Sequence, residues 1–167
     1  MAPDLLIGPL NNDDCTRIAS LILPIQQLEF NVPVTIEDQP DLMDIETNYQ
    51  RTGGEFWGAK AGEELVGTIA LIDIGQHGGA IRKMFVRKEF RGKELQIAQR
   101  LLEILIDYCR RREITDLYLG TVHWLHAAIR FYERNGFVRI EKAELPAGFP
   151  LMAVDNTFYH LHIPAQS

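Results

Sequence analysis

At 167 residues, with 46% hydrophobic and 24% charged side chains, the chain has the size and composition of one folded domain, which argues against a disordered or fibrous protein. Its formal net charge of −6 argues against the broad basic face that general nucleic-acid binding requires. No run approaches the ~18 uninterrupted apolar residues of a membrane span, and the start, MAPDLLIGPLNNDD, lacks the basic-then-apolar pattern of a secretory signal. The expectation is therefore a single domain over residues 1–167, in the cytoplasm, with no membrane or nucleic-acid partner.

In chain order, residues 4–9 (DLLIGP) read as a first strand. Asn11 to Asp14 offer N-caps for a helix through Ile18, Leu21 and Leu23, which Pro24 should kink or end. After an irregular, proline-bearing link, a second short helix is expected from Asp41 to Tyr49, following Pro40. EFWGAKA and ELVGTIALIDI then read as a hairpin about Gly62, and the residues from Gly75 to Gly79 turn the chain into a strand ending at Val86. Past Arg91-Gly92 comes a long helix with an apolar stripe at Leu95, Ala98, Leu101, Leu102, Leu105 and Cys109. LYLGT, residues 117–121, should return parallel in the same sheet after that crossover. A helix from Trp124 to Arg134 stops at Asn135-Gly136, where glycine suits a left-handed C′ position, and residues 137–140 and 157–163 close the sheet. The order βααβββαβαββ implies an α/β (α+β) fold, a mixed sheet with helices on its faces.

The turn before the long helix is the most basic part of the chain, with Arg82, Lys83, Arg87, Lys88, Arg91 and Lys93 against the single acid Glu89. A helix N-terminus offers unpaired N–H groups and a partial positive charge, so this island suits a phosphate-bearing ligand; a solvated turn before a core helix is the alternative. Cys15 and Cys109 form no C-x-x-C pair and read as reduced structural cysteines. His123 and His126 lie three apart at a helix start, and His160 and His162 share a strand face. No cysteine or acid completes a metal-ligand spacing with them, so no metal site is expected.

Two segments carry a resemblance to a known family. MFVRKEFRGKELQIAQRLL is similar to the strand, turn and helix that hold the pantetheine and pyrophosphate of coenzyme A in the GNAT superfamily of acetyl-CoA-dependent acyltransferases, and HAAIRFYERNGF is similar to that superfamily's late helix. The terminal FPLMAVDNTFYHLHI resembles an uncharacterised branch of it. The resemblance covers nearly the whole chain and implies a mixed, mostly antiparallel sheet. It assigns cofactor contacts to Met84, Phe85 and Val86 on the strand and to Arg91, Gly92, Lys93, Glu94, Leu95 and Gln96 at the helix start.

Two departures from the family pattern stand out. In Q/R-x-x-G-x-G/A, Arg91 fills the first place, but Glu94 and Gln96 occupy the glycine places. Both are expected in the first helical turn, at negative φ, with side chains toward solvent and backbone donors intact. Seven residues before Tyr132, where many members carry an Asn against the cofactor arm, stands Leu125.

The resemblance further implies acetyl transfer from acetyl-CoA to a small primary amine by direct attack, without an acyl-enzyme. Tyr132 would protonate the departing thiolate, and amides of the Met84–Val86 strand would polarise the thioester carbonyl. The group that takes the amine proton is left open, with His123 as one candidate base or substrate contact. In this superfamily the segment holding Glu37, Asp38, Asp41, Asp44 and Glu46 borders the acceptor site. Those acids either attract a cationic amine or serve a helix start. The superfamily's habit of dimerising admits a homodimer, although no segment marks an interface. A non-catalytic acyl-CoA-binding or sensing domain is the rival reading, motivated by Glu94 and Gln96.

Overall fold

The structure, a computed structural model, describes residues 4–92 and 96–164. Seven strands form one sheet in the order β1-β2-β3-β4-β5-β7-β6. They are β1 (Leu5–Pro9), β2 (Glu55–Ala61), β3 (Glu64–Gly75), β4 (Gly78–Val86), β5 (Asp116–Thr121), β6 (Val138–Ile140) and β7 (Thr157–His162). Every neighbouring pair is antiparallel except β4 with β5, which run parallel because a helix crosses over between them. The β3–β4 hairpin closes through Gln76 and His77, both left-handed, and His77 Nδ1 lies 2.9 Å from the carbonyl oxygen of Glu113.

Helices cover both faces. On one, α2 (Ile97–Arg111) buries Ile97, Leu101, Leu102, Leu105 and Cys109 against Ile69, Leu71, Ile81 and Leu117, and α3 (His126–Arg134) adds Phe131 and Tyr132 to the same core. Each fully buried aliphatic side chain there contributes about 1.5–3 kcal/mol relative to exposure. Gly67 on β3 lets α2 approach, since a Cβ there would stand 2.9 Å from Ile97 Cγ2. On the other face, α1 (Cys15–Pro24) packs Ile18, Leu21 and Ile22 over Phe56, Leu65 and Ala70. Among the described residues no helix is long and apolar enough to cross a membrane.

Pro24 ends α1, as expected: without an N–H it cannot bond four residues back, and the chain widens into a π-helical turn over Ile25–Glu29, closed by Phe30 N–H on Ile25 O. Two expectations need correction. The second helix is two short turns, Pro40–Met43 and Glu46–Gln50. Asp44 divides them because its carboxylate accepts the Thr47 N–H at 3.1 Å, which holds its own backbone at φ −153, ψ 77. The other concerns Gln96, which precedes α2 as a left-handed residue, φ +49 and ψ +42, instead of lying in its first turn. That conformation costs a side-chain-bearing residue about 1–2 kcal/mol and is the one glycine takes freely.

Candidate active site

The sheet opens between its two parallel strands. β4 and β5 pair only from Gly78 with Asp116 to Ala80 with Tyr118, and then part. A bulge in β4 accompanies the parting: two steps on β3, Thr68 to Ala70, face three on β4, Phe85 to Arg82. Lys83 takes the strained place at φ +55, and its carbonyl accepts the Thr68 hydroxyl at 2.7 Å. Beyond the bulge the Arg87 N–H donates to Val66 O on β3. Strand alternation therefore turns the amides of Met84 and Val86 away from β3, into the gap.

A cavity of about 120 Å³ occupies this gap. Met84, Phe85 and Leu125 line it, together with Phe30, Val32 and Val34 from the segment after α1 and Phe149, Met152 and Val154 from the segment before β7. Tyr132 enters from the α2–α3 face; burial pushes its phenol well above the usual tyrosine range, and the Asp155 charge adds to the effect. No hydrogen bond from its hydroxyl occurs among the described residues, so a protonated phenol faces the cavity.

Asp155 enters from the opposite face. It sits over Gly120 of β5, where an added Cβ would stand 2.7 Å from Asp155 Oδ2, so glycine is what admits the carboxylate. Burial pushes the Asp155 carboxyl up to about 6, and the positive charges of Arg82 and Lys83 restrain that rise. Burial likewise presses the Lys83 ammonium down to about 8. Lys83 is committed: Nζ donates to Gln39 Oε1 and lies 3.8 Å from Asp41, while the buried amides of Gln39 and Gln26 bond each other at 2.8 and 3.1 Å.

The basic island is not one surface. Arg82 and Lys83 face the cavity, whereas Arg87 pairs with Glu64 and Glu89. Arg91, assigned by the family pattern to phosphate, is engaged elsewhere: its NH1 and NH2 grip Glu29, its Nε donates to Val86 O at 2.8 Å, and its guanidinium lies 5.5 Å from the Phe30 ring centre. Glu29 arrives through the π turn, which explains why sequence spacing gave no sign of the pair. Val86 packs against the larger core, and Gly92 is at φ +150 beside open space. Lys93, Glu94 and Leu95 lie outside the described residues. Gln96, exposed, stands at the helix start as described.

The other candidates fall away from the cavity. His123 Nδ1 meets Asn156 Nδ2 at 2.8 Å, outside the cavity lining, and His160 and His162 both reach Asp116 Oδ1, at 2.8 and 3.1 Å. Among the described residues no group of His, Cys, Asp or Glu has metal-holding geometry. Four of the five acids of residues 37–46 have structural partners: Asp38 accepts from Thr35, Asp41 from Tyr49, Asp44 from Asn12 and Thr47, and Glu46 from the Asn12 N–H. Asp155 was missed in the sequence; the only sign of it was a lone carboxylate among apolar residues just before the last strand.

A parallel-strand gap roofed by α2 and α3, with a buried tyrosine facing it, fits an acyltransferase architecture. The Acetyltransferase (GNAT) family model matches residues 20–137, and the chain belongs to that family of acyltransferases. It is similar to an acetyltransferase of GNAT family from Staphylococcus aureus Mu50, with 39% identity, a TM-score of 0.93, and coverage of 96% of this chain and 100% of that one. It is also similar to N-acetyltransferase family 8 member 2 of Rattus norvegicus, 31% identical over 59% of this chain and 45% of that protein. The chain thus spans about half the length of the curated relatives it matches. The fold recurs in PaiA N-acetyltransferase from Thermoplasma acidophilum in complex with coenzyme A, at 16% identity and a TM-score of 0.76, over 95% of this chain and 99% of that one.

Proposed function

We propose that this chain transfers the acetyl group of acetyl-CoA to a small primary amine by direct attack. The observation that carries the reading is the convergence of Tyr132 and Asp155 on one cavity from opposite faces of the sheet, at the place where β4 and β5 part. The Met84 and Val86 amides polarise the thioester carbonyl, where oriented backbone donors in a water-poor site stabilise developing negative charge. Asp155 takes the amine proton, and its raised affinity for protons suits a base working near neutral pH. Tyr132 gives its phenol proton to the departing thiolate. The coenzyme's phosphates fall at the start of α2, where Arg91 serves them once Glu29 releases it. The coenzyme A held by the Thermoplasma neighbour supports this choice of co-substrate.

The test is thiol release from acetyl-CoA by the purified protein with a panel of primary amines, alongside calorimetric titration with acetyl-CoA. Turnover with any amine sustains the reading. Micromolar binding of acetyl-CoA with no turnover across the panel replaces it with an acyl-CoA-binding role, and absence of binding removes both.

A further inference from the structure

Two opposite charges face the cavity without partners. The carboxylate of Asp155 and the guanidinium of Arg82 each make no side-chain hydrogen bond or ion pair among the described residues, and neither is sealed away from the cavity space. They share one face of the sheet: Arg82 stands opposite Ala70, whose side chain belongs to the α1-side core, and Asp155 lies over Gly120 on that same side. They lie beyond ion-pair distance, yet near enough for the Arg82 charge to hold down the proton affinity of Asp155. The other cation lining the cavity, Lys83, is already tied to Gln39 and Asp41, so among the described residues Arg82 is the one left for an anion. A partly buried charge without a counter-charge is costly, and two of opposite sign held apart are satisfied together by one ligand that carries both.

We propose that the acceptor is a free amino acid with an apolar side chain, its amino group at Asp155, its carboxylate at Arg82 and its side chain against Phe30, Val34, Phe149 and Met152. This rests on the acetyl-transfer reading. In the step, the amine nitrogen bonds the acetyl carbon as the C–S bond breaks, the amine proton passes to Asp155 and the thiolate takes the Tyr132 proton. A peptide N-terminus or a simple alkylamine supplies nothing for Arg82.

The experiment compares kcat/KM for L-phenylalanine, L-leucine and L-methionine with that for phenethylamine, 3-methylbutylamine and 3-(methylthio)propylamine, which differ only by the carboxylate. L-phenylalaninamide serves as a neutral control. The amino acids should exceed their decarboxylated counterparts by about 100-fold or more, since a site built around a charged group rejects analogues lacking it. Arg82→Gln should reduce that ratio to about 3-fold or less, chiefly through KM for the amino acids. Equal or better use of the plain amines by the wild-type protein, or a ratio unchanged in Arg82→Gln, overturns the proposal and leaves acetyl transfer standing. No turnover with either series overturns the proposal, and the acetyl-transfer reading falls with it only when the wider amine panel is also inert while acetyl-CoA binds in calorimetry.

Discussion

Replacing Asp155 by Asn should stabilise the ligand-free protein at alkaline pH, and the amount follows from the cavity's electrostatics. The folded protein holds the Asp155 proton with a pKa of about 6 against an ordinary 3.8. Protonation therefore favours folding: that contribution is complete below about pH 3.8 and is lost as pH rises through about 6. Above that, the ionised carboxylate is a penalty of at most about 3 kcal/mol, from about 1.4 kcal/mol per pKa unit. Asn keeps the shape and carries no charge. Urea unfolding of both proteins should show the variant ahead by up to about 3 kcal/mol at pH 8 and about half that at pH 5. At pH 8 the corresponding rise in Tm is about 6–12 °C. A variant no more stable than wild type at pH 8, or a gap that fails to shrink on acidification, would refute a partly desolvated, unpartnered carboxylate at this position.

Other perturbations address the remaining parts of the site. Tyr132→Phe should lower turnover by about 10- to 1000-fold while leaving acetyl-CoA affinity near wild type, and full activity would remove the phenol from the mechanism. Glu29→Gln frees Arg91 and should tighten acetyl-CoA binding by about 2- to 5-fold, the scale of a part-exposed ion pair; weaker binding would mean that the pair organises the site. Gln96→Gly should raise stability by about 0.5–1 kcal/mol in denaturant titrations, because glycine tolerates the left-handed backbone; a loss of similar size would contradict that backbone. Gly120→Ala places a methyl group 2.7 Å from Asp155 Oδ2, and kcat should fall about 10-fold or more with acetyl-CoA affinity retained. Unaltered kcat would show that the carboxylate's position is immaterial.

Elements with a strong internal period were legible in the sequence. The stripe of Leu101, Leu102, Leu105 and Cys109 gave α2, the alternating and β-branched runs gave the β2–β3 hairpin, and Gly136, at φ +89, ended α3 as glycine should. The segment 41–50 misled because a side-chain acceptor, Asp44, outcompeted the helical backbone for Thr47, a contest that composition does not reveal. The site divided along the same line. Met84, Phe85, Leu125 and Tyr132 came from a linear family pattern, and the structure places all four on one cavity. Asp155 and Arg82 come to one cavity only through the β5–β7 pairing and the β4 bulge, which bring together residues far apart in the chain. Arg91 was assigned from its neighbours in sequence, whereas its partner Glu29 stands 62 residues away.

The short β4–β5 contact also bears on how the molecule comes apart. Among the described residues only three strand pairings join the half-sheet β1–β4 to the half-sheet β5–β7, and the rest of the seam is bridged by α2 and α3 on one face and by Phe30, Val32 and Val34 packed with Val122 and Val154 on the other. Each half has its own antiparallel hydrogen-bond ladder, so without ligand the unpaired stretch of the seam is where local opening should begin. A molecule lying in the gap bonds the unpaired edge of one half and touches the other, which makes it a mechanical cross-strut. Amide exchange at Met84 and Val86, slow only with acyl-CoA present, would follow that strut closing.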